Sequence, residues 1–332
     1  MRDLNPIADP PAPAPASAPP RIEVAFPDLA RHQAGNAGLR YVWTFAAMQP
    51  GPHLLVQALT HGNEVCGAIA LDRLLRDGFR PRRGTLSLVF ANVDAYQRFD
   101  PARPFDSRCV DEDFNRLWSA EVLEGSRNSV ELARARELRP LYDRIDFLLD
   151  IHSMSEPCLP LSMAGRRSKG VALARALGAP EHVVVDAGHA AGRRLRDYAF
   201  FDDQADPRAA LLIECGQHWE AAAPVVARDT ILRFLRHLGM ADESWVAREI
   251  GVRDGALAQR VVEVTDTVTI GSDSFRFTMP VRGLQTIRHA GTVYADDGGR
   301  PISTPHDDCV LVMPTRHPKR GETAVRLGRY AV

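Results

Sequence analysis

The sequence predicts an α/β fold followed by a smaller all-β unit. From about residue 21, short β-rich apolar runs alternate with longer amphipathic segments of helical period, the pattern of strands and helices sharing one sheet. After about residue 245 the helical segments stop, and turn-punctuated β runs such as QRVVEVTDTVTI and CVLVMP remain. The expected organisation is a tail over 1–20, an α/β unit over 21–244 and a β-rich unit over 245–332.

Each element has its own justification. The opening MRDLNPIADPPAPAPASAPP is so rich in Pro and Ala that it can neither continue a helix nor fill a central strand, and it reads as a disordered tail. Its prolines also leave no uninterrupted apolar stretch for a secretory signal. HLLVQAL (53–59) reads as a buried strand and VCGAIALDRLLRDG (65–78) as a helix stopped by Gly78. TLSLVFAN (85–92) is a second strand. A Glu-, Leu-, Ala- and Arg-rich helical pattern covers 128–140 and leads into the apolar run IDFLLDIH (145–152). HVVVDA (182–187) and AALLIEC (209–215) repeat the strand type, and APVVARDTILRFLRHLG (223–239) is an amphipathic helix ending in Gly. Between Asn92 and Trp118 neither periodicity holds. Aromatic residues at Tyr96, Phe99, Phe105, Phe114 and Trp118 let this long loop pack, which points to an ordered active-site loop.

Composition removes several classes of function. The chain has 332 residues, 45% of them hydrophobic, enough to bury a sizeable core. Lys+Arg of 41 against Asp+Glu of 42 leaves a net charge of −1, so no global field draws in nucleic acid or an anionic membrane. No apolar run approaches the roughly 18 residues of a bilayer span, and the mean hydropathy is −0.21. A soluble protein with neither kind of partner is expected. The five cysteines are odd in number, scattered and without a C-x-x-C pair. They fit neither a disulfide framework nor a zinc ribbon, and a reducing cytoplasm is the expected compartment.

The chemistry gathers where strands end. In LTHGNEVCG, His61 and Glu64 form H-x-x-E at a strand-to-helix junction, where open α/β sheets bind ligands. An imidazole and a carboxylate suit zinc; the alternative is an acid favourably placed near a helix N-terminus beside a loop histidine. His152, at the end of IDFLLDIHS, is a third candidate. His, Glu and His leave a fourth position for water, as in catalytic zinc sites. Asp150 stands two residues earlier, projects to the same side of its strand and is placed to orient the imidazole. Glu214 interrupts the apolar run AALLIEC. Burial there would raise its pKa toward the range of a general acid/base, whereas a strand-end position would leave it solvated.

HGNE (61–64), RCVDEDFNR (108–116), DIHS (150–153) and the Glu214 segment together resemble the succinylglutamate desuccinylase/aspartoacylase family, relatives of the zinc carboxypeptidases. The match in order and approximate spacing runs from about residue 50 to 220. The resemblance implies a three-layer α/β/α arrangement around a central mixed sheet, with the zinc hydrolase unit at 21–244 and one Zn2+ per chain held by His61, Glu64 and His152. It makes Glu214 the catalytic acid/base and Arg108 the cation that polarises the scissile carbonyl. Asn115 and Arg116 become the grip on a substrate carboxylate, a task suited to a guanidinium fork, and Asp113 their support. The implied activity is hydrolysis of the amide of an N-acyl amino acid or related small carboxylate.

Some features depart from that family. Its further carboxylate-binding Arg before the catalytic Glu has no clear counterpart: Gln204 stands near the position and Arg208 lies closer to Glu214. Arg316 and His317 read as solvated loop residues, Cys66 and Cys215 as small apolar residues beside the motifs, and His53 and His218 as spare histidines. Two other activities stay open. One is a zinc carboxypeptidase acting on short peptides, and the other a metal-binding regulatory protein without turnover, against which the presence of Glu214 argues.

Overall fold

The computed structural model describes residues 21–188, 191–255 and 257–331; the segment expected as a tail lies outside them. The first half of the chain forms β1 (Val42–Ala46), β2 (Gln49–Ala58), α1 (Cys66–Arg76), β3 (Arg83–Phe90), α2 (Val93–Tyr96), α3 (Ala120–Glu124), α4 (Val130–Tyr142) and β4 (Phe147–Met154). There follow β5 (Leu161–Met163), α5 (Ser168–Leu177), β6 (His182–Val185), β7 (Ala209–Gln217), α6 (Ala223–His237) and α7 (Glu243–Ile250). The chain ends in β8 (Arg260–Thr269), β9 (Arg276–Phe277), β10 (Thr286–Ile287), β11 (Val293–Asp297), β12 (Arg300–Ser303), β13 (Cys309–Val312) and β14 (Thr323–Tyr330).

The central sheet is mixed, in the order β1-β3-β2-β4-β7-β5-β6-β8-β14-β13-β10, and β12-β11-β9 make a separate small sheet. β3, β2, β4 and β7 run parallel to one another, so their carboxyl ends share one edge. Side-chain alternation sorts the strands into two faces. Leu54, Val56 and Ala58 pack with Leu71 and Leu74 of α1, Leu173 of α5, Ile231 and Phe234 of α6 and Val246 of α7. Leu55, Val89, Leu148 and Ala210 pack on the opposite face against Leu123 of α3 and Leu132, Leu138 and Tyr142 of α4, with Trp118 and Tyr198. Three layers result, as the resemblance implied. α1 shows why its sequence is helical: Leu71 and Leu74 are buried on one stripe while Arg73 and Arg76 face water. It ends at Gly78, whose φ of +67° suits a residue without a Cβ.

The expected helices and strands fall where these elements lie, within a few residues. Several elements escaped the sequence. β1 is a short edge strand, β5 has only three residues, and α5 and α7 were not singled out; α7 spans residue 245 and is capped by Asp242, whose side chain accepts from Trp245 N. β8 continues the central sheet by pairing with β6 and β14. A cluster of Met163, Val184, Leu212, Val262, Val310 and Val312 joins the strands of the two halves of the chain. Among the described residues no helix is long and apolar enough to cross a membrane.

Candidate metal centre and active site

The parallel strands deliver the site. After β2 the chain turns through Thr60 and His61 to α1, and Gly62 makes the turn possible. A Cβ on Gly62 would lie 2.4 Å from both Ser107 O and Tyr96 N, so only glycine lets the 95–108 segment close over this turn. Gly62 N donates to Arg108 O at 3.0 Å, fastening the two segments together.

His61, Glu64 and His152 converge as expected. Their candidate ligand atoms lie within 4.8 Å of one another, and all three residues are buried. Nδ1 of His61 lies 2.7 Å from Glu64 Oε1, and Nδ1 of His152 lies 2.8 Å from Glu64 Oε2. The outer ring nitrogens face carboxylates: His61 Nε2 is 2.9 Å from Asp113 Oδ1, and His152 Nε2 is 2.9 Å from Asp150 Oδ2. Two imidazoles and a carboxylate facing inward, with further carboxylates behind the rings, fit a divalent metal such as zinc. Asp150 is itself held by Thr60 Oγ1 (2.6 Å) and Gln57 Nε2 (3.2 Å), and Tyr142 OH donates to Gln57.

The electrostatics agree with that assembly. Burial opposes the charge on Glu64, yet His61 and His152 hold its carboxyl well below the ordinary carboxylate range. Burial likewise disfavours a charged His152, but Asp150 and Glu64 drive its pKa well above the usual histidine value. An imidazole must be neutral to ligate, so metal binding here is coupled to loss of that proton. Glu214 sits directly opposite His152 in the β4–β7 register. It is 6% exposed, and its Oε2 is buried without a hydrogen-bond partner among the described residues. Burial, reinforced by Glu64 and opposed by His152, pushes its carboxyl well above the ordinary range.

The 108–116 loop lies across the same edge. Arg108, its side chain 40% exposed, places Nη2 2.9 Å from Asp113 Oδ2 and 2.8 Å from His61 Nε2, with Nη1 3.4 Å from Glu64 Oε1. Burial works against the Asp113 carboxylate, but Arg108, His61 and Arg116 hold its pKa well down. Asn115 Oδ1 accepts from Leu195 N at 2.9 Å, anchoring the segment after β6. Arg116 Nη1 donates to Asn115 O at 2.8 Å. Its guanidinium pKa is lowered to about 10 by burial and by the nearby Arg108, Arg194 and Arg326, against the pull of Asp113. The loop is held from below by Glu131 of α4, which accepts from Val110 N (2.5 Å), Asp111 N (3.1 Å), Glu112 N (3.3 Å) and Asn92 Nδ2 (3.0 Å).

Sequence reasoning missed several neighbours. Asp186 pairs with Arg194 (3.1 Å) and, from β14, with Arg326 (3.0 Å). Arg326 was visible as a charge inside the apolar alternation TAVRLGRY. Gln204 and Arg208 play no part at the centre: Gln204 Oε1 accepts from Ser168 N, and Arg208 pairs with Asp206 and stacks over the Phe200 ring. Arg316 and His317 are not a detached solvated loop. Arg316 is 2.7 Å from Glu156, and the His317 ring packs 5.3 Å from that of Phe105, so the 313–322 segment is tied both to the loop after β4 and to the 95–108 segment.

Fold and site together define an α/β protein with a His–Glu–His cluster at the carboxyl edge of a mixed sheet. A sequence model of the succinylglutamate desuccinylase/aspartoacylase catalytic domain matches residues 50–238, more than half of the chain, and the chain belongs to that family. Among curated proteins it is 32% identical over 113 residues to an N-acyl-aromatic-L-amino acid amidohydrolase (carboxylate-forming) of Xenopus laevis; the match covers 31% of this chain and 35% of that protein. The chain thus spans about a third of the relative's length. Similar solved structures include succinylglutamate desuccinylase of Vibrio parahaemolyticus (TM-score 0.63, 18% identity, 88% and 87% of the two chains covered). A succinylglutamate desuccinylase/aspartoacylase of Rhodobacter sphaeroides gives a TM-score of 0.62 at 20% identity, covering 88% and 89%. The ectoine utilization protein EutE (DoeB) of Ruegeria pomeroyi gives 0.59 at 16%, covering 87% of each. At these identities the likeness is one of fold.

Proposed function

We propose that the chain is a zinc-dependent hydrolase that cleaves the amide bond of an N-acyl amino acid or a related small carboxylate. The observation that carries this reading is Glu214, a buried carboxyl with an unpartnered Oε2, set opposite a metal-ligating His152 in adjacent strands. Metal binding alone has no use for that acid.

His61, Glu64 and His152 would hold the metal, which when bound supplies Lewis acidity and a water whose pKa falls from about 15.7 toward 7. Glu214 takes the water proton on a carboxylate oxygen and passes it to the departing amine, work suited to a carboxyl whose pKa burial raises above the ordinary range. Arg108, half-exposed beside Glu64, presents a fixed positive charge to the oxygen of the scissile carbonyl as that oxygen becomes negative. Asn115 and Arg116 receive the substrate carboxylate, with Asp113 keeping Arg116 and Arg108 in register.

The approach of the 313–322 segment to Phe105 and Glu156 favours small substrates over peptides. Five cysteines without a disulfide suit a cytoplasmic enzyme. The test is amine release by the zinc-loaded protein across acetyl, succinyl and longer acyl groups on acidic, basic and aromatic amino acids, with short peptides in parallel. Hydrolysis confined to acylated amino acids supports the proposal. Cleavage of peptides alone replaces it with a carboxypeptidase.

A further inference from the structure

His218 is a buried imidazole that the mechanism above leaves unused. It follows β7 directly and is 2% exposed. Its backbone N donates to Met154 O at 2.9 Å, and its ring Nδ1 lies 2.9 Å from Ser153 Oγ. Ser153 in turn donates its backbone N–H to Glu64 Oε2 at 3.3 Å. A single residue, Ser153, therefore connects this ring to the central carboxylate of the candidate metal cluster. On one side the ring faces Phe105, 6.2 Å away, and Trp219, 5.3 Å away. Its Nε2 makes no hydrogen bond to a described residue.

The cluster has two ends. From His61 a chain of contacts runs outward through Asp113 to Arg108 and Arg116. From Glu64 another runs through Ser153 to His218. A substrate carboxylate held at Arg116 would leave the acyl end for the side of the cluster that Ser153 and His218 flank. A hydroxyl proton from Ser153 directed at Nδ1 puts the ring proton on Nε2. Burial, aided by Arg108, His61 and His152 against Glu64, lowers the ring's pKa to about 4, so at neutral pH the ring adds no further charge to the site.

We propose that His218, fixed by Ser153 and flanked by Phe105, is a specificity-determining residue that donates a hydrogen bond from Nε2 to an acyl group bearing an acceptor beyond the scissile carbonyl. This rests on the hydrolase reading above. The test compares wild type with His218→Phe, which keeps an aromatic ring without its nitrogens, and with His218→Gln, which retains a donor. Bound metal is counted in each. kcat/KM is measured for acetyl, succinyl and benzoyl groups on one amino acid, and for one acyl group on several amino acids.

In His218→Phe the succinyl substrate is expected to lose about tenfold relative to acetyl, the scale of one hydrogen bond. The order among amino acids stays fixed, and His218→Gln recovers part of the loss. Should His218→Phe fail to fold, Ser153→Ala, which frees the ring, is expected to shift the same ratio in the same direction. An unchanged acyl order in metal-loaded variants overturns the proposal, as does a change confined to the amino-acid order. A metal-loaded wild type that hydrolyses no member of the panel instead overturns the hydrolase reading on which it rests.

Discussion

Asp150 Oδ2 lies 2.9 Å from His152 Nε2, while the other nitrogen of the same ring lies 2.8 Å from Glu64 Oε2. The imidazole is thus gripped from behind by a fully buried carboxylate that Thr60 and Gln57 hold in turn. Carboxylates in this position fix a ligand's tautomer and raise its basicity. Asp150→Asn should therefore weaken metal affinity by about 10–100-fold, measured by competition with a chromogenic chelator. Unchanged affinity would remove Asp150 from that role.

Glu131 supports the 108–116 loop by accepting from three of its backbone N–H groups, and also accepts from Asn92 Nδ2. Glu131→Gln turns an amide NH2 toward those donors, and losing hydrogen bonds to a charged acceptor costs about 1.5–3 kcal/mol. Denaturant unfolding should show a loss of that size. The metal should stay bound while KM rises, because Arg116 and Asn115 ride on this loop. Equal stability in the two proteins would mean that the carboxylate does not organise it.

Asp186 gives a pH-dependent prediction. Burial raises its pKa, but Arg194, Arg326 and the Gly188 N–H more than offset this and hold it below the ordinary aspartate value. A folded-state pKa below the unfolded one means the stabilisation is fully present above about pH 4 and is lost as pH falls through the folded value. Asp186→Asn leaves two buried guanidiniums short of a partner, so it should cost about 3–5 kcal/mol at neutral pH. The gap to wild type should narrow in acid. A gap independent of pH would contradict the pairing.

The candidate metal cluster was the most legible part of the molecule. H-x-x-E at a strand end, a histidine closing an apolar run and an acid two residues before it are local signals, and parallel strands bring such ends to one edge. Glu214 was legible for the same reason, as an acid inside an apolar strand. Arg194, Arg326 and Asp186 were not, because they come from an irregular loop, a C-terminal strand and the end of β6. The β6–β8 and β8–β14 pairings, which carry the last strand into the central sheet, bring Arg326 to the Asp186–Arg194 pair. Counting back from Glu214 led to Gln204 and Arg208, since residues 186–208 follow no helical or strand period that would tell which side chain turns inward. His218 looked spare in sequence because its partner, Ser153, lies 65 residues away. β5 escaped because three residues are too few to show alternation.

The central claim is that Glu214 performs proton transfer beside a metal held by His61, Glu64 and His152. Its most direct test is amine release from an N-acyl amino acid by zinc-loaded wild type and Glu214→Gln, with bound metal counted in both. The account predicts equal metal content and a fall in kcat of about 10²–10⁴-fold, the usual contribution of a positioned general acid/base. Undiminished turnover in Glu214→Gln would contradict it.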